Sequence, residues 1–363
     1  MVIISINMNK RISKIVEKFN NSPFYRGSVK VEEAMSCHTT MKVGGPAKIF
    51  LCPEDAESFA YAFLVAEKLK IKTFTLGGGS NLVVSDKGIQ GIVISSKENS
   101  GLYAEKITDE KDGSLKAKVE CRSGCTIKDI VEFCAKKGFS GMENFSGLPG
   151  TAGGAAYMNA RCYEVNISDR LHSVEYIDLE CLLKKAKKVN VEKMSPEIFK
   201  EIFNEALKKV DVIDEKDWAY KKSPFMQKKA FITQVNFKLD CLYKDVFKEG
   251  CQDAPLEIQK IIQDKNEYFV EERRKRGHFE APSAGSVFKN NHAFGKPSGA
   301  LVDQAGLKGL QIGGAQIAPW HGNFIINKGN ASAKDIKALV LAAKKKVKQM
   351  TGFKLECEII FVN

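Results

Sequence analysis

Residues 76–82 read Leu76-Gly-Gly-Gly-Ser-Asn-Leu82, and residues 146–155 read Ser146-Gly-Leu-Pro-Gly-Thr-Ala-Gly-Gly-Ala155, with Met158-Asn-Ala160 just beyond. A third glycine-bearing segment, Thr39-Thr-Met-Lys-Val-Gly-Gly-Pro46, precedes both. Glycine lets a backbone approach a ligand closely and adopt positive φ. Successive backbone N–H groups then form a nest that can hold a pyrophosphate. None of the three segments fits G-x-x-x-x-G-K-[ST], so a nucleotide-hydrolysing P-loop is unsupported. None fits G-x-G-x-x-G after a strand, so a Rossmann dinucleotide site is unsupported as well. One glycine-rich turn is more often structural than functional. Three of them on a basic chain point to a phosphate-rich cofactor bound outside the standard nucleotide folds.

The chain around these segments is 363 residues long, enough for about two domains. With 44% hydrophobic and 28% charged residues it has the balance of a packed globular protein, which excludes disorder, collagen and coiled coil as the main state. The 56 Lys and Arg against 44 Asp and Glu leave a net charge of +12, which implies anionic partners. No apolar run approaches the roughly 20 residues of a membrane-spanning helix. The start, Met1-Val2-Ile3-Ile4, is broken by Ser5, Asn7 and Asn9 before Lys10, the wrong order for a secretory signal. The ten cysteines form no CxxC pair, and Cys121-Arg-Ser-Gly-Cys125 has no partner motif. No metal site is therefore expected, and the thiols read as free, mostly buried hydrophobes of a reducing compartment.

The elements alternate between helix and strand. A short basic amphipathic stretch, Arg11–Phe19, reads as an N-terminal helix. Pro53-Glu-Asp55 opens a helix through Leu69 with Ala56, Phe59, Ala60, Phe63 and Ala66 on one face. Ile71–Leu76, Val83–Val84 and Ile92–Ile94 read as strands. Thr126-Ile-Lys-Asp129 is a capping box whose helix Gly138 stops. Residues 171–240 are strand-rich, interrupted by the basic run Lys184–Lys193 and by a helix that Ser195-Pro-Glu197 starts and that runs through Lys209. With Ile198, Ile202 and Leu207 turned inward, that helix reads as a surface insertion. A long helix follows Pro255 to Arg276, Ser332-Ala-Lys-Asp335 caps the last helix, and Lys354–Val362 reads as a final strand.

The motif order resembles one family. Leu76-Gly-Gly-Gly-Ser-Asn-Leu-Val-Val84 with Gly91, and Gly147-Leu-Pro-Gly-Thr-Ala-Gly-Gly154 with Met158-Asn-Ala160, are similar to segments of the UDP-N-acetylenolpyruvoylglucosamine reductase (MurB) family. The resemblance continues through Pro282-Ser-Ala-Gly-Ser-Val-Phe-Lys-Asn290, Ala305-Gly-Leu-Lys-Gly309, Gly314-Ala-Gln316, His321-Gly-Asn-Phe-Ile-Ile-Asn327 and Leu355-Glu-Cys-Glu-Ile359. It runs from about residue 37 to the C-terminus, and the set is specific although no single member is. It implies an α+β fold, with an FAD-binding module of the vanillyl-alcohol-oxidase type and a C-terminal α+β substrate domain. It also implies a reaction in two halves. NADPH reduces non-covalent FAD, and the reduced flavin reduces the enolpyruvyl ether of UDP-N-acetylglucosamine enolpyruvate to UDP-N-acetylmuramate, a peptidoglycan precursor. Negative charge builds on the substrate α-carbon and its carboxylate, so the site needs positive charge and donors there and an acid to protonate that carbon.

By this resemblance the flavin is held by Gly77, Gly78, Gly79, Ser80, Asn81 and Leu82, and by Gly147, Pro149, Gly150, Thr151, Gly153, Gly154 and Asn159. Ser286 matches the family's proton donor, although a serine outside such a motif is an ordinary turn or cap residue. Glu358 matches the C-terminal glutamate, which stabilises the enolic acid or relays a proton. Spacing alone does not choose between Glu358 and Glu356; the family pattern, with the second glutamate before Ile359, selects Glu358. The family's Tyr-Arg-x-Ser appears as Tyr220-Lys-Lys-Ser223, which puts Lys221 in place of arginine. Lysine keeps the charge and loses the planar fork. The expectation is that Lys221 polarises the substrate carboxylate as a point charge, with Lys222 as the alternative. Tyr220 and Asn290 match substrate-contacting positions, and Lys289 and His321 are neighbours of the UDP diphosphate or sugar. Three further departures stand out: Arg161-Cys162 where Gly-Ala is commoner, Cys357 for proline, and Asn291 for proline. Arg161 could touch phosphate or point to water.

Three parts are expected: residues 1–100 joined by the last strand 353–363, and residues 101–245, both holding FAD, then residues 246–352 for substrate. The expected location is the cytoplasm, with no membrane insertion and no nucleic acid. The runner-up is another flavin oxidoreductase on the same module, which would not need Ser286, Asn290 and Glu358. A nucleic-acid-binding protein would carry basic stripes interleaved with aromatics, and the runs at 184–193 and 344–348 contain none.

Overall fold

The computed structural model describes residues 2–109, 113–187, 189–211 and 217–363. The chain divides into two compact units: residues 1–31, 49–77 and 91–270 form one, and residues 32–48, 78–90 and 271–363 the other.

The first unit is built on an antiparallel sheet whose central strand is Ala230–Cys241. The order across it is Leu207–Asp211, Leu171–Asp178, Ala230–Cys241, Leu115–Arg122 and Leu102–Thr108, with Phe139–Ser140 beside the end of the central strand. Val235, Phe237 and Leu239 alternate with Gln234, Asn236 and Lys238, so one face is apolar. That face packs on the helix Ile127–Lys137 through Ile127, Ile130, Val131 and Cys134. The helix starts and stops as its sequence dictates. Thr126 and Asp129 form the capping box, and Gly138 leaves in the left-handed conformation at φ 76°. Cys121, Cys125 and Cys134 are buried, and burial pushes all three thiols above their ordinary range.

The helix Ala56–Lys68 corrects two expectations. One apolar face was expected, yet every residue from Ser58 to Ala66 is buried. A helix apolar all round must be covered all round. The cover comes from the helices Leu179–Ala186 and Pro196–Ala206, so the insertion is part of the core and not a surface appendage. Its inward face is Phe199, Ile202, Phe203 and Ala206, while Ile198 is exposed and Leu207 begins a strand. The basic run Lys184–Lys193 accordingly includes the end of a helix whose Leu182 is buried. Phe199 lies 4.7 Å from Phe24 and 6.3 Å from Tyr61, ring centre to ring centre. Phe199→Ala is expected to cost about 3–5 kcal/mol, measured as a fall in the unfolding midpoint. A change under about 1 kcal/mol would restore the surface reading.

The second unit has a sheet in the order Ser283–Ser286, Phe324–Asn327, Ala315–Ile317 and Gln311–Ile312. The helix Ala333–Thr351, capped by Ser332 and Asp335, covers it with Ile336, Leu339, Val340, Ala343 and Val347. The final strand is shorter than expected. Only Ile360–Val362 is regular, parallel to Leu82–Val84. Cys357 makes one isolated bridge to Phe288. Residues 354–359 are otherwise irregular, so the expected strand from Lys354 to Val362 is reduced to its last three residues.

Candidate active site

In the first unit the segment around Gly147–Asn159 is bound edge-on to the turn after Arg122. Gly153 N–H donates to Ser123 O at 3.0 Å, Ala152 N–H to Cys125 O at 2.8 Å, and Ile127 N–H to Gly150 O at 3.1 Å. Ser123 N–H in turn donates to Thr233 O at 2.9 Å. The Asn99 side-chain amide bridges Ser123 Oγ and Thr233 O, both at 3.0 Å. A Cβ on Gly153 would lie 2.8 Å from Ser123 Cβ, so the close approach admits only glycine. Gly77 faces the same segment, and a Cβ there would meet Thr151 Oγ1 at 2.9 Å. Thr233, Ser123, Gly124 and Asn99 were not singled out from the sequence. The stretch Arg122-Ser-Gly-Cys125 was read for its cysteines, and its glycine was the signal that was passed over.

Thr233 is 4% exposed, and its Oγ1 has no hydrogen-bond partner among the described residues. It sits where the pairing of Leu171–Asp178 with Ala230–Cys241 slips by one residue, between Glu175 and Tyr176, and such a bulge re-aims a side chain. A buried hydroxyl without a partner costs about 1–3 kcal/mol, a cost that a cofactor atom or a water relieves. Close-packed glycine backbone with an orphaned hydroxyl beside it fits a large polar cofactor. Thr233→Val should therefore raise the stability of the cofactor-free protein by about 1 kcal/mol and weaken FAD binding, seen as a lower melting increment on adding FAD. Unchanged FAD binding would remove Thr233 from the cradle.

Asn159 ends the helix Ala152–Met158 at φ 42° and is buried. Its side chain is already engaged: Nδ2 donates to Ala219 O at 2.9 Å and Oδ1 accepts from Ser168 N–H at 3.2 Å. Ser223 Oγ donates to Tyr157 O at 2.6 Å. Both ends of Ala219–Ser223 are thus tied to the end of that helix. Between them Lys221 takes φ 54°, half-buried, while Lys222 is exposed. A left-handed conformation is costly for lysine, and non-glycine residues held so cluster at functional sites. The two lysines therefore differ in backbone conformation and in exposure.

The second unit gathers Gly78, Gly79, Ser80, Asn81 and Leu82 with Ser286 and Glu358. Gly79 has φ 64°, and a Cβ on it would lie 2.0 Å from His38 O. Thr40 N–H donates to Gly79 O at 3.2 Å, and Thr40 Oγ1 to Ser283 O at 2.7 Å. Asn81 Nδ2 donates to Glu358 O at 3.0 Å, and Ile360 N–H returns to Asn81 O at 3.0 Å. Glu358 N–H donates to Val287 O at 2.8 Å, one residue from Ser286. Ser286 itself pairs with Phe324. Buried Asn323, which the sequence reading quoted without assigning a role, fixes this strand. Its side chain both donates to Phe288 O and accepts from Phe288 N–H, each at 2.8 Å, and its own O accepts from Val287 N–H at 2.9 Å.

Glu356 is exposed and ion-paired with Lys289. Asn290 Oδ1 accepts from Ser298 N–H at 3.0 Å, and Lys289 O accepts from Ser298 Oγ at 2.6 Å, so both residues brace the helix Ser298–Gln304. His321 is half-buried and stacked on Phe324 at 4.3 Å. Burial lowers its pKa, which favours the neutral ring. Its Nδ1 accepts from Asn323 N–H at 3.1 Å, so the proton is on Nε2. His321 is therefore a hydrogen-bond donor and not a cation. Neighbouring His278 is lowered to about 4 by burial and by Arg273.

Residues 277–362 match the family model described as the UDP-N-acetylenolpyruvoylglucosamine reductase C-terminal domain. Residues 47–181 match the one described as an FAD binding domain. The UDP-N-acetylenolpyruvoylglucosamine reductase of Treponema denticola is 41% identical over 343 residues, covering 94% of this chain and 96% of the relative. That of Borreliella burgdorferi is 35% identical over 356 residues, covering 98% and 99%. The crystal structure of the MurB enzyme from Thermus caldophilus superposes with a TM-score of 0.63 at 27% identity, covering 94% of this chain and all of that one. The α+β class and the pairing of an FAD-binding module with a C-terminal domain agree with the sequence reading. An identity of this extent over nearly the whole of both chains leaves one assignment: the chain belongs to the UDP-N-acetylenolpyruvoylglucosamine reductase family.

Proposed function

We infer that the protein reduces the enolpyruvyl ether of UDP-N-acetylglucosamine enolpyruvate to UDP-N-acetylmuramate, using NADPH and FAD, in peptidoglycan precursor synthesis. The observation that carries this is the full-length relationship to reductases of that name. When bound, FAD supplies the hydride relay between NADPH and substrate. The protein's part is position, charge and a proton. Lys221 lies against the substrate carboxylate and lowers the cost of the charge that develops there. Ser286 Oγ gives its proton to the α-carbon. Glu358, with its backbone pinned by Asn81 and Val287, stabilises the enolic form or returns the proton to the serine. Tyr220, Lys289, Asn290 and His321 line the UDP-sugar, His321 as a neutral donor. The backbones of Gly77–Leu82 and Gly147–Gly154 hold the cofactor phosphates, with Thr233 as an added contact. The +12 charge suits three polyanionic ligands. Among the described residues no helix is long and apolar enough to cross a membrane. A reaction that draws on NADPH and a nucleotide sugar belongs to the cytoplasm.

The test is a visible spectrum of the purified protein, then NADPH, then the enolpyruvyl UDP-sugar. Bound flavin should bleach with NADPH and recolour under anaerobic conditions with that substrate. Bleaching without recolouring would favour a different oxidoreductase on the same module. Salt-dependent retention on DNA by a protein that binds no flavin would overturn the reading altogether.

A further inference from the structure

Tyr220 and Lys221 are the middle residues of a tight reversal. Ala219 N–H donates to Lys222 O at 3.1 Å and Lys222 N–H to Ala219 O at 3.0 Å. Asn159 grips its base through Ala219 O, as described. Two residues further on, the Arg161 guanidinium lies over the face of the Tyr220 ring, 5.6 Å from its centre, and is ion-paired with Glu164. Arg161 opens a miniature hairpin in which Arg161–Cys162 pairs with Val165–Asn166. Both residues of its turn, Tyr163 and Glu164, have positive φ, at 46° and 69°. Two such residues in succession persist only where the surroundings hold them. Tyr163 supplies that hold: its hydroxyl donates to Phe269 O at 3.3 Å and its ring packs 4.8 Å from Phe269. The turn brings Glu164 back beside Arg161 and so fixes the guanidinium over Tyr220.

We propose that Arg161 is a positioning residue for reduction of the substrate. It immobilises the Tyr220 ring and, through it, the turn that presents Lys221. The proposal rests on the role given to Lys221 above. Tyr220 is 40% exposed, so burial in the core does not hold its ring. A lysine is a point charge on a flexible stem, with no fork to align itself against a carboxylate. Its placement depends on its backbone, and a misplacement of about 1 Å can cost a hundredfold in rate. Arg161 therefore acts through Tyr220 and does not itself touch the reacting atoms.

Stopped-flow measurement on the FAD-loaded protein separates the two half-reactions. Arg161→Ala is expected to slow reoxidation by the enolpyruvyl UDP-sugar roughly three- to fivefold, the range one exposed cation–π contact commands. Flavin content and the rate of reduction by NADPH should not change. Arg161→Lys, which keeps a cation over the ring, should restore most of the loss. On a Tyr220→Leu background Arg161→Ala should add less than about twofold, because the ring through which it acts is gone. Full additivity in that cycle would overturn the proposal. Loss of bound flavin in Arg161→Ala would overturn it too, by placing the guanidinium on a cofactor phosphate. Lys221→Ala, measured alongside, tells apart two ways of failing. If it leaves reoxidation unchanged, the reading of Lys221 falls and the positioning role falls with it. If it slows reoxidation while Arg161→Ala does not, the positioning role falls alone.

Discussion

Ser286→Ala is expected to leave flavin reduction by NADPH nearly intact and to slow reoxidation by the enolpyruvyl substrate by about two orders of magnitude or more, the usual loss on removing a general acid. The split follows from where a proton is needed. Transfer from NADPH to the cofactor does not involve the substrate α-carbon, whereas completing the substrate's reduction requires protonation there. A serine hydroxyl is a weak acid, so it serves only where the acceptor is a stabilised carbanion and the geometry is tightly held. The backbone beside Ser286 meets the second condition. Val287 N–H donates to Asn323 O, and Val287 O accepts from Glu358 N–H. These contacts use main-chain atoms or Asn323, so alanine at 286 should not disturb them and the variant should fold. Stopped-flow absorbance with each partner separately is the measurement. Equal slowing of both halves would exclude the proton-donor role, and reoxidation at the parental rate would pass the acid's role to Glu358.

Much of this arrangement was legible because its signals are local. Capping boxes at Thr126 and Ser332 and the stop glycine Gly138 depend on four or five neighbouring residues, and all three act as read. The choice of Glu358 over Glu356 rests on the family pattern before Ile359; the ion pair of Glu356 with Lys289, 67 positions away, is a contact that pattern does not record. The role of the insertion was hidden for the same reason. Of the residues read as inward, Ile202 is buried and Ile198 is exposed, and the pattern does not show what the buried face covers. The partner is the helix Ala56–Lys68, whose apolar residues on every side were the available clue. Thr233 was invisible because a bulge is a mismatch between two strands, and neither strand records it alone.

Lys221 offers a test in which stability and activity should move apart. At φ 54° it holds a conformation that costs an L-residue with a Cβ roughly 1–2 kcal/mol. Lys221→Gly removes that cost, against a glycine entropy penalty of about 0.5–1 kcal/mol. The backbone balance alone therefore favours the variant by about 0–1.5 kcal/mol. The same substitution deletes the cation assigned to the substrate carboxylate, and reoxidation should fall by about two to three orders of magnitude, the scale of losing one preorganised charge-stabilising group. Lys221→Arg keeps the charge at the same backbone cost and restores the fork, so it should retain activity where glycine loses it. Lys222→Ala is the companion: exposed and outside the left-handed position, that lysine should be replaceable with less than about a threefold change, as for a solvated surface charge. Thermal unfolding and stopped-flow reoxidation on the three variants and the parent decide the matter. A strained residue kept for function gives a glycine variant that is stable and slow. A lysine that is merely tolerated gives one that is stable and fully active, and the anion-binding role would then pass to Lys222 or to no residue of this turn.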